Sequence, residues 1–265
     1  MLTISSHSAK GGVGKTTSLC ALAHVWGARG VRVLVVDADP QAHATISLGI
    51  AREEVDAVHS THAVLTGQAD ATSAVQPTAV AGVDIMPGHA GLTTIDVVLA
   101  AEYGRELRLR DALAKLGDRY DVALVDLGAA RGLLWANAMV ASDYLLVPTH
   151  VDTAAVDGAV QIVTAAGQLA TVMRRALPVL AVIPTDVRRV GRTRESRAVE
   201  TAMRSHFGEL VTESVPHAPR AADAFGYRRT LIGHAPDSPA ATAYTRIAEH
   251  LADRLALSLN NVATV

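Results

Sequence analysis

The sequence predicts a doubly wound α/β fold, with a mostly parallel sheet flanked by helices. Three observations predict it. Short, continuously apolar runs alternate with longer helical patterns along the whole chain. Aromatic residues make up only 3% of a chain that is 49% hydrophobic, so the core must be filled by Ala, Val, Leu and Ile, as suits parallel strands covered by helices on both faces. A glycine-rich loop also joins the first apolar run directly to the first helical pattern.

Taken in order, strands are expected at Leu2–Ser5, Val31–Asp37, Val83–Met86, Val122–Asp126, Tyr144–Pro148, Val179–Pro184 and Leu210–Val215. Helices are expected at Thr16–Arg29, Arg105–Leu116, Ala154–Met173 and from about Pro239. The first places Leu19, Leu22, Ala23 and Trp26 on one face and has Gly30 as its C-terminal stop. Pro239 suits the first turn of the last helix. Ile50–Ala81 has the weakest periodicity and reads as a mobile excursion. With no internal repeat and no long Pro/Gly/Ser linker, residues 1–265 read as a single domain.

Composition removes several functional classes. The single cysteine, Cys20, provides neither an internal disulfide nor a cysteine cluster for zinc or iron–sulfur, and it suits a reducing compartment. No apolar run is long enough to span a bilayer, and Lys10 with its glycines interrupts any signal peptide. The net charge of −2 is unevenly spread. From residue 170 onward there are 13 Arg and no Lys against 9 acidic residues, whereas the rest carries 11 basic and 17 acidic residues. This asymmetry fits a local polyanion-binding surface, and equally a set of solvated helix faces.

The strongest chemical signal is His7-Ser8-Ala9-Lys10-Gly11-Gly12-Val13-Gly14-Lys15-Thr16-Thr17. Glycines at 11, 12 and 14, with Val13 between them, let successive backbone N–H groups turn toward one point, and the helix N-terminus adds positive potential. Lys15 would neutralise β- and γ-phosphates, the Thr16 hydroxyl would bind Mg²⁺, and Thr17 would lie near the α-phosphate. Ala9 stands where the common G-x-x-x-x-G-K-[ST] pattern begins, and Lys10 adds a second lysine. Lys10 and Lys15 are two of only three lysines in an arginine-rich chain, the third being Lys115. An ammonium is a compact point charge for phosphate. The segment resembles the deviant Walker A motif of the ParA/MinD superfamily, K-G-G-x-G-K-[ST]-T. That resemblance implies ATP and Mg²⁺ as cofactors, and Lys10 as the residue that reaches across an ATP-bound homodimer to the partner's nucleotide.

Two carboxylate groups support the resemblance. Asp37-Ala38-Asp39-Pro40-Gln41 closes a buried strand; alone it reads as a turn, but beside the loop it resembles the family's D-x-D-P-Q. By that resemblance Asp39 orients the attacking water and Asp37 supports the Mg²⁺ shell. Tyr120–Asp126 is an apolar strand ending in a carboxylate, similar to a Walker B element in which Asp126 holds Mg²⁺ through water. The family usually continues with two prolines, whereas this chain reads Leu127-Gly128-Ala129-Ala130-Arg131, with Gly128 loosening a segment that acts as a nucleotide switch in relatives.

The resemblance covers nearly the whole chain. Val215-Pro216-His217-Ala218-Pro219-Arg220 is similar to the family's adenine-side segment, placing Pro216 and His217 at the base. Asp186–Arg197 lies where relatives carry a basic loop, so Arg188, Arg189, Arg192, Arg194 and Arg197, with Arg220 and the Arg228-Arg229 pair, are expected to touch DNA phosphates without sequence preference. The alternative is a solvated arginine-rich helix start. The tail Leu251–Val265 has Arg254, Leu255, Leu257 and Leu259 but then Asn260-Asn261, a poor membrane anchor. The implied function is a slow, partner-stimulated ATPase, cytoplasmic and nucleoid-associated. It dimerises on ATP, binds double-stranded DNA and partitions a plasmid, chromosome or other cargo with a ParB-like or other cargo-bound activator. The alternatives are a MinD-like positioning ATPase for a protein complex or membrane-linked cargo, and a nucleotide-binding regulator with little hydrolysis.

Overall fold

The computed structural model describes residues 1–152, 154–187 and 194–260, without the side chains of 155 and 194–196. Among the described residues, seven strands form one sheet: β1 (Leu2–Ser6), β2 (Val33–Ala38), β3 (Gln76–Pro77), β4 (Val83–Met86), β5 (Val122–Leu127), β6 (Tyr144–His150) and β7 (Val179–Thr185). Their order is β3-β4-β2-β5-β1-β6-β7. Every neighbouring pair is parallel except β3 with β4. The doubly wound expectation therefore holds, and β1 sits between β5 and β6, so its carboxyl end opens where ligands enter such sheets.

Alternation along the strands builds two cores. Val36, Val125 and Val147 face one side, against helices that include Arg108–Ala114, Leu133–Ala141 and Ala155–Val172. Val35, Leu124 and Leu146 face the other, against the helices Lys15–Ala28 and Pro239–Leu255. Both faces are covered, which is why the strands read as unbroken apolar runs. The Lys15–Ala28 helix is buried on nearly every side, wedged between the sheet and the last helix. Trp26 Nε1 donates to the Ala248 carbonyl at 2.8 Å, and Ser18 shares a 2.9 Å hydrogen bond with Tyr244. The helix stops as expected: Gly30 adopts φ 88°, and Val31 N–H returns to the Trp26 carbonyl at 3.1 Å.

Two expectations fail. Leu210–Val215 is not a strand; it touches β7 through an isolated bridge at Val211 and a separate bond from Val215 N–H to the Pro184 carbonyl at 2.7 Å, with no continuous ladder between. Arg204 occupies the carbonyls of Val211 and Thr212 at 3.4 and 3.2 Å, and Pro184 in β7 has no N–H to extend a ladder. Residues 50–81 are not a loose excursion but a packed run of short elements, including the helices Thr61–Thr66 and Ala71–Ala74 and strand β3. Ser60, Thr61, Ala63 and Leu65 are buried there. Their weak periodicity comes from elements too short to show one. The Arg105–Leu116 helix begins with a 3₁₀ turn, Arg105–Leu107, before Arg108–Ala114. Buried Asn137 holds that turn, accepting from Leu109 N–H at 3.0 Å and donating to the Arg105 carbonyl at 2.9 Å. Among the described residues, no helix is long and apolar enough to cross a membrane.

Candidate functional site

The carboxyl ends of β1, β2 and β5 converge on one cleft of about 640 Å³. The loop after β1 forms its floor. Gly12 and Gly14 take φ 73° and 80°, a region that side-chain-bearing residues avoid. A Cβ added at Gly11 or Gly12 would meet nothing within 4 Å, so these backbones face open space. Gly14 is the N-cap of Lys15–Ala28 with no side-chain cap, which leaves the first N–H groups of the helix directed at the cleft. From behind, Thr185 Oγ1 donates to the Val13 carbonyl at 2.8 Å and fixes the loop on the end of β7.

Lys15 is 8% exposed, and its Nζ donates to the Lys10 carbonyl at 3.2 Å. Burial lowers its pKa, opposed by Asp126 and Asp39. A phosphate in the cradle would add the countercharge this ammonium lacks. Lys10 points elsewhere: its Nζ lies 3.1 and 3.3 Å from the two oxygens of Asp152, with both side chains substantially exposed.

Asp126 is fully buried. One oxygen accepts from Thr16 Oγ1 at 2.7 Å, while Oδ1 has no hydrogen-bond partner among the described residues. Burial first, then Asp37 on the neighbouring strand, pushes its carboxyl well above the usual range. A buried, half-satisfied carboxylate beside a threonine hydroxyl is a donor set that suits Mg²⁺, whose remaining positions go to water and substrate phosphate. Asp37 is held differently. Its Oδ2 accepts from Thr45 N–H at 2.8 Å and Thr45 Oγ1 at 2.7 Å, and its Oδ1 accepts from Asp39 N–H at 3.1 Å. Burial pushes its pKa up to about 6. With both oxygens engaged, Asp37 orients the turn that carries Asp39. Asp39 is half-buried at the cleft wall, and a Cβ built on Gly128 would sit 3.6 Å from its carboxylate. The Gly128 segment thus lies directly against Asp39.

The cleft continues past Thr16, Thr17 and Cys20 to His43, Ala221, Ala222, Phe225 and Arg229. Pro216 and His217 are not among the residues that line it; His217 pairs with Asp186, and Pro216 bridges to Val187. Of the arginines expected at DNA, Arg188, Arg189 and Arg192 lie outside the described residues, and the Arg194 side chain is not described. Arg197 and Arg220 are exposed, on the helices Arg194–Phe207 and Arg220–Gly226.

Sequence reasoning missed Asp152, Thr45, Thr185 and His7. Asp152 and Thr185 reach the site through crossovers of the sheet, whereas Thr45 lies on the helix His43–Ser47 just after β2, eight residues beyond Asp37. His7 stood beside the glycine loop as a polar residue at the end of an apolar strand, a signal that could have been followed.

Comparison with known proteins agrees with this geometry. Residues 1–179 match the AAA domain family. The chain is 35% identical over 247 residues to the chromosome-partitioning ATPase Soj of Thermus thermophilus, covering 93% of each. Its fold superposes with a TM-score of 0.81 on cobyrinic acid a,c-diamide synthase of Mycobacterium smegmatis bound to ADP and magnesium, at 26% identity and full coverage of both chains. It superposes at 0.85 on a McdA–ATP complex from Cyanothece, at 22% identity over 100% of this chain and 99% of that one. By sequence match and by the architecture of its phosphate loop, the chain belongs to the ParA/MinD superfamily of P-loop ATPases, close to the Soj-like partition ATPases.

Proposed function

We propose that this chain is a slow, Mg²⁺-dependent ATPase of the ParA type, one that dimerises around ATP, grips DNA without sequence preference and moves cargo with an activating partner. The observation that carries the reading is the pairing of an open glycine cradle with the buried Asp126–Thr16 contact at 2.7 Å. Backbone N–H groups of Gly11–Gly14 and Lys15 hold the phosphates, and the Thr17 end of the loop receives the α-phosphate. Thr16 and Asp126 would hold Mg²⁺, with Asp37 supporting them through the β2–β5 pairing. The metal supplies charge neutralisation on the transferring phosphoryl group. Asp39 positions the attacking water. Lys10 leaves Asp152 and acts across the dimer.

Arg197 and Arg220, together with Arg188, Arg189, Arg192 and Arg194, form the proposed DNA surface. The proposed location is the cytoplasm, on the nucleoid. The partner is a ParB-like or other cargo-bound protein that accelerates hydrolysis. The test is binding to mixed-sequence duplex DNA with ATP, ADP or no nucleotide across a salt series. Binding that requires ATP, ignores sequence and weakens steeply with salt supports the reading. Absence of binding in all three states overturns the DNA-gripping part. Turnover measured in the same samples distinguishes an ATPase from a nucleotide-binding regulator.

A further inference from the structure

His7 follows the last residue of β1 and is completely buried, and neither ring nitrogen has a hydrogen-bond partner of good geometry among the described residues. Its backbone N–H donates to the Leu146 carbonyl at 3.0 Å, which fixes the backbone of His7 at the β1–β6 junction. Facing it is Trp135, on the helix Leu133–Ala141, at 6.2 Å between ring centroids. The Trp135 indole N–H is likewise buried and without a partner among the described residues. Two buried polar groups left unmatched side by side are uncommon in a folded chain and call for a physical account.

The surroundings supply one. The charged groups that face His7 are Lys15 from the phosphate-loop helix and Arg131 from the segment after β5; with burial they lower its pKa to about 4, so the ring is neutral at physiological pH. A neutral imidazole offers one donor and one acceptor. The Gly128 backbone is close enough to act on the ring as a weak hydrogen-bond partner, raising its pKa, but falls short of full hydrogen-bond geometry. Gly128 and Ala129 line the phosphate cleft, and Gly128 also abuts Asp39. The segment therefore has the reaction site on one side and an unmatched imidazole on the other. Its C-terminal end is tied down, because Leu133 N–H donates to Asp96 at 2.9 Å. A small movement of the segment at Gly128 would complete the bond between the His7 ring and the Gly128 carbonyl, with Trp135 already beside the ring.

We propose that His7 is a positioning residue for hydrolysis: accepting from Trp135 Nε1 and donating to the Gly128 carbonyl, it fixes the segment after β5 against Asp39 when nucleotide fills the cleft. The inference rests on the ATPase reading above. Its test uses the full chain and four proteins: wild type, His7→Leu, His7→Gln and Trp135→Phe. The chain has two tryptophans, so the emission change lost in Trp135→Phe reports Trp135 alone. Wild type should show a Trp135 emission change on adding ATP with Mg²⁺. His7→Leu should lose it and turn over more slowly by on the order of tenfold or more, the scale for residues that orient a reacting group. Its ATP affinity should stay within about twofold, as P-loop contacts are untouched. His7→Gln, which keeps a donor and an acceptor, should recover part of both signals. Wild-type kcat and an unchanged emission response in His7→Leu overturn the inference while leaving the ATPase reading intact. Equal loss of affinity, turnover and melting temperature in both His7 variants also overturns it, by showing a purely structural role. Failure of wild type to bind or hydrolyse ATP removes the ATPase reading itself, and this inference with it.

Discussion

The proposed dimer requires Lys10 to give up Asp152, and that contact sets a measurable bias toward the monomer. The cleanest perturbation is Asp152→Asn. Asp152 Oδ1 also accepts from Ala154 N–H at 3.0 Å at the start of the helix Ala155–Val172, and asparagine keeps that bond while removing the charge. The Lys10–Asp152 pair is 52% and 42% exposed on its two sides, so it belongs with solvent-screened ion pairs worth roughly 0.2–1 kcal/mol. Each dimer releases two such pairs, about 0.4–2 kcal/mol, which predicts a dimer about two- to thirtyfold tighter in Asp152→Asn. Sedimentation with a non-hydrolysable ATP analogue and Mg²⁺ measures it. The gain should shrink as salt rises, since exposed charges are screened, and it should vanish in a Lys10→Ala background. A dimer of unchanged or lower affinity in Asp152→Asn would refute the reasoning. Asp152 would then be no competitor for Lys10, or would serve the dimer itself.

Four further outcomes are expected. Lys15→Ala should weaken ATP binding on the order of 100-fold or more, since charged hydrogen bonds to two phosphates are lost; calorimetry showing wild-type affinity would remove Lys15 from the site. Asp39→Ala should bind ATP normally but lose turnover, and an unchanged kcat would show that Asp39 does not position the water. Gly88→Ala should cost about 1–3 kcal/mol in denaturant unfolding, because its Cβ would lie 2.8 Å from Asp37 Cγ and 2.9 Å from the Asp39 carbonyl oxygen; unaltered stability would mean that the turn yields freely. The last concerns pH. The pKa of His7 is 6.5 when unfolded and about 4 in the fold, so the unfolded chain takes up the proton first as pH falls. Neutral burial costs nothing above pH 6.5, and stability from this group is lost by about 2 kcal/mol at pH 5 and about 3 below pH 4. Unfolding curves at pH 7 and 5 should show this loss in wild type and not in His7→Leu; the same pH dependence in both would contradict it.

Much of the nucleotide site was legible in the sequence because its parts are local. A strand, a glycine turn and a helix N-terminus are neighbours along the chain, so spacing alone specifies where the N–H groups point. The carboxylates at the ends of β2 and β5 were legible for a related reason: a parallel sheet brings all its strand ends to one edge, so Asp39 and Asp126 had to lie near the loop. The strands β2, β5, β6 and β7 followed from largely unbroken apolar runs. Residues 50–81 and Leu210–Val215 did not, because the first splits into elements shorter than any period and the second has its carbonyls taken by Arg204.

By itself the sequence determined the fold class, the phosphate loop and the identity of the residues at the strand ends, all of which depend on near neighbours and on period. Only the tertiary structure decided which partners those residues have. It set Lys10 on Asp152, closed both oxygens of Asp37 with Thr45 and Asp39, and left one oxygen of Asp126 open beside Thr16. It also put an unmatched His7 behind Gly128. These pairings join residues separated by up to more than a hundred positions along the chain. The long-range ones exist because crossover helices return each strand to the same edge, a consequence of packing that no local pattern records, while those of Asp37 close within the turn after β2.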